Sequence, residues 1–312
     1  MAQKGELILE TRKLTKHFGP TVALNAVDFK IYRGQITGLT GENGSGKSTI
    51  TSIAAGMQPP TSGEMFFKGQ PHHPSSMIEG IECGIGMIVQ EQGTVPGISV
   101  AENIFLGEEN KFGKVLISRK KMQAEAKKVL ENIGLTSVDP AAPIESLNMQ
   151  DRKLVEIAKT VYMKPEMLVV DETTTALSQS GREIIYDIMK KMRDDDKAVV
   201  FISHDLEELM EICDTLTVLR DGNFIATLDK EDFDEDLIKK YMVGREMTGD
   251  YYRSDYGTPI SDEVVLKVDH LGDDKAYKDV SFELHKGEVL AIEGQHVGDI
   301  TEIHHEVVVA HH

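Results

Sequence analysis

The feature that most constrains the fold of this chain is a run of eight residues near its N-terminus. The run reads Gly41-Glu-Asn-Gly-Ser-Gly-Lys47-Ser48 and matches the pattern G-x-x-x-x-G-K-[ST]. A predicted strand at 35–39 precedes it and a helical pattern at 48–55 follows it. This is the strand, loop and helix context that the motif requires. The sequence therefore predicts an α/β fold in which a glycine-rich loop joins a buried strand to a helix N-terminus.

The composition of this loop suits it to hold phosphate groups. Glycines let the backbone curl so that several N–H groups point inward, and the helix N-terminus adds to their effect. Lys47 is predicted to reach the β- and γ-phosphates of a nucleotide, and the Ser48 hydroxyl is predicted to bind Mg²⁺. The predicted nucleotide-binding residues of the loop are Gly41, Asn43, Gly44, Ser45, Gly46, Lys47, Ser48 and Thr49.

Two later apolar runs, 167–170 and 198–202, each end in residues that can do chemistry. Asp171 and Glu172 follow the first run, and His204 lies just after the second. The carboxyl ends of parallel strands meet at the edge of a sheet where ligands bind. We therefore predict that Asp171 holds Mg²⁺ through water and that Glu172 polarises an attacking water. His204 is predicted to hydrogen-bond the γ-phosphate and position that water.

Strand and helix patterns alternate along the chain, which predicts a parallel sheet flanked by helices. Helices are predicted at 181–192 and 205–212, beside the two apolar runs just described. An insertion at about 75–162 is richer in helix, and its clearest element is 119–133. The apolar face of that helix is predicted to contain Met122, Ala126, Val129 and Ile133.

The chain also contains an internal repeat. Residues 276–294 align without gaps to residues 23–41, with a valine, a phenylalanine, a basic residue and a glycine at matching positions. Each copy predicts an alternating strand, a turn at x-Gly and a buried strand that ends in glycine. We predict a first domain at 1–246, a polar linker at 247–263 and a truncated second copy at 264–312.

Composition restricts where such a chain can act. The net charge is −18 without a segregated basic run, so nucleic acid is not an expected partner. No apolar stretch reaches the roughly 18 residues that a membrane span needs, and the N-terminus lacks the apolar core of a signal peptide. Cys83 and Cys213 show no metal-binding or disulfide spacing. These features favour a location in the cytoplasm.

Taken together, residues 1–245 resemble the nucleotide-binding domains of ABC transporters. The resemblance is carried by the loop through Thr49, Val89-Gln-Glu91, Ser99-Val-Ala-Glu-Asn-Ile-Phe-Leu-Gly107, Leu154-Val-Glu-Ile-Ala-Lys159 and Tyr241-Met-Val-Gly-Arg-Glu246. The last two segments favour the first half of the fused two-domain ATPases of bacterial monosaccharide importers. The implied fold is a P-loop ABC ATPase domain with a mixed core sheet, an N-terminal antiparallel β subdomain and a helical insertion.

The resemblance implies further roles and partners. Phe18 matches the aromatic residue that stacks on adenine, and Gln90 matches the glutamine that senses the γ-phosphate and Mg²⁺. Residues 91–106 would line the groove that receives a helix of the permease, and 176–178 would cross a dimer interface. The implied activity is hydrolysis of ATP to power sugar import. The implied partners are permease subunits at the cytoplasmic side of the membrane, a second ABC ATPase domain and, indirectly, a periplasmic or surface sugar-binding protein.

Two segments depart from the family's pattern. The signature Leu-Ser-x-Gly-Gln is here Leu147-Asn-Met-Gln-Asp151, so that Asn148 and Gln150 replace the serine and the glycine. A side chain at 150 occupies space where backbone should approach phosphate, which predicts weakened function. In the second copy Ile300 stands where the loop lysine is expected, and Asp299 would repel phosphate.

The sequence leaves several alternatives open. The chain could pair with a separate second half or form a homodimer. It could also be a regulatory module that binds ATP with little hydrolysis. A translation-associated ABC ATPase is disfavoured because the linker is short and acidic. The histidine-containing tail, 304–312, is expected to be unstructured rather than to bind a metal.

Overall fold

The computed structural model of the protein describes residues 5–89, 93–113, 116–244, 261–273, 277–297 and 300–308. Contacts between Cα atoms divide the chain into two units, Met1–Arg245 and Glu246–His312. Each unit has its own sheets and is described by itself.

A small antiparallel sheet opens the first unit. Its strands are β1 (Leu7–Phe18), β2 (Thr21–Tyr32), β4 (Ser62–Phe67) and β5 (Gln70–Pro71), in the order β2-β1-β4-β5. Apolar residues alternate with polar ones along β2, and Leu24, Val27, Phe29 and Ile31 are buried. The alternation gives this sheet one face toward the core and one toward solvent. The predicted N-terminal antiparallel β subdomain is confirmed.

The central sheet has six strands in the order β10-β9-β3-β8-β7-β6. They are β3 (Gln35–Thr40), β6 (Ile85–Ile88), β7 (Met167–Asp171), β8 (Ala198–Ile202), β9 (Thr215–Arg220) and β10 (Asn223–Asp229). Five strands run parallel, and β10 pairs antiparallel with β9. Every residue of β3, β6, β7 and β8 is buried, as expected for strands covered on both faces.

Eight α-helices pack around these sheets within the described part of the first unit. They are α1 (Lys47–Ala54), α2 (Met77–Cys83), α3 (Val100–Ile104), α4 (Arg119–Asn132), α5 (Met149–Tyr162), α6 (Gln179–Asp194), α7 (Leu206–Ile212) and α8 (Glu235–Val243). The predicted apolar face of α4 is confirmed, because Met122, Ala126 and Val129 are buried there and Ile133 is buried at its C-cap. The predicted strands and helices agree with these bounds within about two residues.

The central sheet separates two apolar cores. Leu39, Val169 and Val200 face a core shared with α1 and the antiparallel sheet. The alternate strand residues, such as Leu168 and Phe201, face a core shared with α3, α4, α5 and α6. Side chains on opposite faces of one strand therefore join two layers to the same scaffold.

The second unit reproduces the first hairpin of the chain. Strands β11 (Val264–Asp273) and β12 (Tyr277–His285) pair antiparallel. The pair Leu14–Val27 of β1 and β2 corresponds to Leu271–Val280, and the bulges that flank these pairs match. Lys13 and His270 have φ values of 48° and 49° at equivalent positions. The repeat predicted from the sequence is therefore present in the backbone as well.

The second copy departs from the first where its phosphate loop was predicted. Strand β13 (Val289–Val297) continues through Gly294 and pairs antiparallel with β14 (Ile300–Val308). The first copy instead leaves its sheet after Thr40 and enters a loop and a helix. A strand that ends at Gly294 was therefore the wrong prediction.

The tail also differs from the expectation. Residues 304–308 lie in β14, so the prediction of an unstructured end is wrong for them, whereas 309–312 lie outside the described residues. The run Glu306-Val-Val-Val-Ala310 has the β-branched composition that favours a strand. Most of the predicted linker, 247–260, also lies outside the described residues.

Candidate nucleotide-binding site

The loop between β3 and α1 has a backbone that only glycine can adopt at its ends. Gly41 has φ 148°, and a Cβ there would lie 2.0 Å from the carbonyl oxygen of Leu219. Gly46 forms the N-cap of α1 with φ 101°, and a Cβ there would lie 2.6 Å from the carbonyl oxygen of Ala23. The loop is therefore fixed between neighbouring strands, and its glycines allow that close approach.

Lys47 is buried at the first position of α1. Its Nζ donates hydrogen bonds to the carbonyl oxygens of Gly41, at 2.8 Å, and Glu42, at 3.2 Å. Burial lowers the pKa of this ammonium, and the nearby Glu172 and Asp171 carboxylates oppose that shift. The lysine thus lies inside the loop, with acceptors that phosphate oxygens can replace.

Ser48 and Asp171 meet although 123 residues separate them in the sequence. The Ser48 Oγ donates to the Asp171 Oδ1 at 3.3 Å. Burial raises the pKa of Asp171, the hydrogen bond from Ser48 lowers it, and the charge of Glu172 raises it further. A hydroxyl and a carboxylate are both oxygen ligands of the kind that Mg²⁺ prefers. The donor set therefore fits the predicted metal.

The backbone of Glu172 is held in an uncommon conformation. Its φ is 43°, in the left-handed region, and its N–H donates to the carbonyl oxygen of Ile202 at 3.0 Å. The Thr175 Oγ1 donates to the Glu172 carbonyl oxygen at 3.0 Å. Non-glycine residues adopt this conformation only where the surrounding structure holds them in it. The bond to Ile202 fixes the end of β7 against the end of β8.

His204 lies at the same edge, in the short connection between β8 and α7, and its side chain is exposed. Since β8 lies between β3 and β7, this histidine follows the strand that separates the loop strand from the Asp171 strand. The structure thus brings Lys47, Ser48, Asp171 and Glu172 together and places His204 on the neighbouring strand end.

The two residues assigned by resemblance fare differently. Phe18 ends β1 and is 49% exposed, and the Lys16 Nζ lies 5.1 Å from the centroid of its ring. An exposed ring can stack on a base, but its role with adenine stays a prediction. Gln90 lies outside the described residues, so its proposed contact with the γ-phosphate and Mg²⁺ also stays a prediction.

The altered signature opens helix α5, as the sequence predicted. Asn148 is the N-cap, and its Oδ1 accepts from the Asp151 N–H at 2.8 Å. The Gln150 Oε1 accepts from the Ser178 N–H at 2.8 Å. This contact joins the signature helix to the loop that precedes α6, and no sequence pattern predicts it.

Two buried charges on α5 were also missed. The Lys153 Nζ lies 2.9 Å from the Glu156 Oε2 and donates to the Val89 carbonyl oxygen at 2.7 Å. The same Glu156 oxygen accepts from the Gly93 N–H at 3.1 Å. The helical spacing could have indicated this burial. Lys153 lies four residues before Ile157, which is buried, so both side chains are on the same face of the helix.

Two further findings concern the described residues only. They contain no group of three or more His, Cys, Asp or Glu residues that could hold a metal ion. No helix among them is long and apolar enough to cross a lipid bilayer.

Comparison with known families and sequences agrees with this geometry. Residues 24–175 match the family model described as ABC transporter. The chain is 37% identical over 290 residues to the ribose import ATP-binding protein RbsA of Ruegeria sp. (strain TM1040), covering 93% of this chain and 56% of that protein. It is also 37% identical over 288 residues to the galactose/methyl galactoside import ATP-binding protein MglA of Clostridium perfringens (strain SM101 / Type A), covering 92% and 55%. The chain thus spans just over half the length of these curated relatives.

Solved structures agree on the fold. MJ1267, an ATP-binding cassette of an ABC transporter, superposes with a TM-score of 0.66 at 25% identity and covers 76% of this chain and 98% of its own. The dimeric post-hydrolysis state of the cassette MJ0796, bound to ADP and Pi, gives a TM-score of 0.63 at 24% identity and covers 72% and 100%.

Proposed function

We propose that the chain belongs to the ABC transporter family, whose model its residues 24–175 match, and that it binds and hydrolyses ATP to power sugar import. The observation that carries the proposal is the meeting of the loop and the Asp171 strand, where the Ser48 Oγ lies 3.3 Å from the Asp171 Oδ1. The buried Lys47 lies beside them. The 37% identity to ribose and galactose import proteins supports a monosaccharide as the transported solute.

Each residue of the site has one role in this proposal. Lys47 and the N–H groups of the loop bind the β- and γ-phosphates. Ser48 and Asp171 would hold Mg²⁺, which neutralises phosphate charge when it is bound. The Glu172 carboxylate orients the attacking water and accepts its proton. The His204 imidazole hydrogen-bonds the γ-phosphate from the neighbouring strand end.

The proposal also includes partner proteins. In this proposal a second ABC ATPase domain caps the nucleotide with its own signature helix. The dimeric state of MJ0796, a structural neighbour, supports such pairing. Permease subunits would hold the protein at the cytoplasmic side of the membrane, and a sugar-binding protein would act on the other side. The net charge of −18 argues against a nucleic-acid partner.

The test is ATP turnover by the purified chain with and without Mg²⁺, measured together with equilibrium ATP binding. Glu172→Gln should lower turnover at least about 100-fold while ATP binding stays intact, because the loop is unchanged. Lys47→Ala should weaken ATP binding at least about 10-fold. Lys127→Ala, an exposed lysine on α4, is the matched control and should behave as wild type.

The outcomes separate the candidate functions. Magnesium-dependent turnover that Glu172→Gln removes supports the ATPase. Binding without turnover, even with a second ATPase domain and permease present in lipid vesicles, would instead establish the nucleotide-binding module. In those vesicles, with a sugar-binding protein added on the side opposite the ATPase domains, uptake of ribose or galactose that depends on ATP would support sugar import, and uptake of neither would refute that part.

A further inference from the structure

Glu208 is a buried carboxylate that has no role in the site described so far. It lies in the first turn of α7, and its side chain is 9% exposed. Its Oε2 accepts hydrogen bonds from two hydroxyls at once, the Thr174 Oγ1 at 2.9 Å and the Ser203 Oγ at 2.9 Å. A buried carboxylate is unfavourable unless such donors satisfy it. The sequence offers one hint, because Glu208 lies four residues before the buried Ile212 on the same helix face.

The second oxygen of Glu208 is also occupied. Its Oε1 accepts from the Tyr186 hydroxyl at 2.7 Å and lies 3.5 Å from an Arg182 Nη1. Burial and then the hydrogen bond to Glu208 raise the pKa of Tyr186. This phenol therefore stays protonated and keeps donating. Tyr186 and Arg182 both lie on α6, so the carboxylate is oriented from a rigid helix.

The two hydroxyls belong to the two loops that carry the proposed chemistry. Thr174 is two residues after Glu172, and Ser203 directly precedes His204. A single carboxylate oxygen thus holds both loops, in addition to the backbone bond from the Glu172 N–H to Ile202. Groups that support reacting side chains in this way determine how accurately those side chains are placed.

We propose that Glu208 is a positioning residue that fixes the Glu172 loop relative to the His204 loop for ATP hydrolysis. The inference rests on the proposed ATPase function. Within the described residues, the hydrogen bonds and the ion pair of Glu208 go to Thr174, Ser203, Tyr186 and Arg182, and none goes to the phosphate loop. Its loss should therefore affect the chemical step more than nucleotide binding.

The test compares Glu208→Gln with Glu207→Gln, the same substitution at the exposed neighbouring position. Glu208→Gln is expected to lower kcat at least about 10-fold, since small misplacements of reacting groups have effects of this size. KM for MgATP and the ATP dissociation constant should change less than about 3-fold, and Glu207→Gln should match wild type. Thr174→Val should also lower kcat in the wild-type background but not further in Glu208→Gln, because both act through one hydrogen-bond network.

Hydrogen exchange provides a readout that does not depend on turnover. In Glu208→Gln, amides at 172–178 and 202–206 should lose protection together, whereas those of α4 should not change. Unchanged protection at either loop, an unchanged kcat, or additive effects of Thr174→Val would each overturn the inference. If Glu208→Gln does not fold, Thr174→Val alone must show the lower kcat and the joint loss of protection. Absence of turnover by the wild-type chain even with a second ATPase domain and permease present would refute the proposed function, and the exchange result would still decide the role of Glu208.

Discussion

The buried ion pair on α5 allows a quantitative prediction about stability. Lys153 and Glu156 are 3% and 9% exposed, and 2.9 Å separates Lys153 Nζ from Glu156 Oε2. Lys153→Met keeps the length and helix propensity of the side chain but removes the ammonium. Glu156 then keeps the Gly93 N–H as a donor and the longer-range attraction of Lys159, but it lacks its ion-pair partner.

The expected magnitude follows from the burial of the pair. Removal of one partner of a buried pair lowers the free energy of unfolding by about 3–5 kcal/mol. In a domain of this size about 1 kcal/mol lowers the midpoint of thermal unfolding by about 2–4 °C, so the expected decrease is about 6–20 °C. Lys153→Met/Glu156→Gln removes the isolated charge and keeps an amide oxygen for Gly93. The double variant should therefore be more stable than Lys153→Met alone.

The assay is thermal and urea unfolding of the two variants, followed by circular dichroism. The control is Lys127→Met, which breaks an exposed pair with Glu131 at 4.0 Å and should lower stability by no more than about 0.5 kcal/mol. The reasoning is refuted if Lys153→Met is no less stable than Lys127→Met, or if the double variant is no more stable than Lys153→Met.

Three further predictions concern the loop, an ion pair and the signature. Gly46→Ala places a Cβ 2.6 Å from a carbonyl oxygen at φ 101°, so ATP affinity should fall at least about 10-fold in a binding titration. Hydrogen bonds from Lys197 and then from an arginine lower the pKa of Glu166 to about 2 from 4.5. Glu166→Gln should therefore lower the free energy of unfolding by about 1 kcal/mol at pH 7. The difference between variant and wild type should shrink as the pH falls from about 5 toward 2, and urea unfolding of both proteins across that range measures it. Gln150→Gly removes the hydrogen bond to Ser178 and lets the backbone approach phosphate. The kcat should therefore rise at least about 2-fold in a steady-state ATPase assay, and a lower kcat would contradict this reasoning.

Much of the fold could be predicted because its signals are local. The loop from Gly41 to Ser48 lies between a predicted strand and a helical pattern, and all of its residues are adjacent in sequence. The apolar face of α4 follows from spacing alone, since helical periodicity places Met122 and Ala126 on one side. The repeated hairpin was likewise visible, because corresponding positions carry similar residues.

The second copy shows where local similarity misleads. Gly294 matches Gly41 in the alignment, yet the chain continues as a strand there and pairs with β14. In the first copy, a Cβ at Gly41 would lie 2.0 Å from the Leu219 carbonyl oxygen. Strand β9, which contains Leu219, therefore helps to define the loop. A matching glycine does not by itself ensure a matching neighbouring strand. Gly41 therefore begins a loop, whereas Gly294 lies within a strand.

The sequence by itself determined the residue types of the site, since a lysine, a hydroxyl and a carboxylate in this order predict phosphate and metal chemistry. Only the tertiary structure decided which of them meet. The sheet order brings β3, β8 and β7 side by side, and this places the Ser48 Oγ 3.3 Å from the Asp171 Oδ1. The Gln150 contact with Ser178 and the Glu208 network also needed the folded chain. Hydrogen bonds act over about 3 Å between atoms, whereas sequence patterns report the periodicity of one segment at a time.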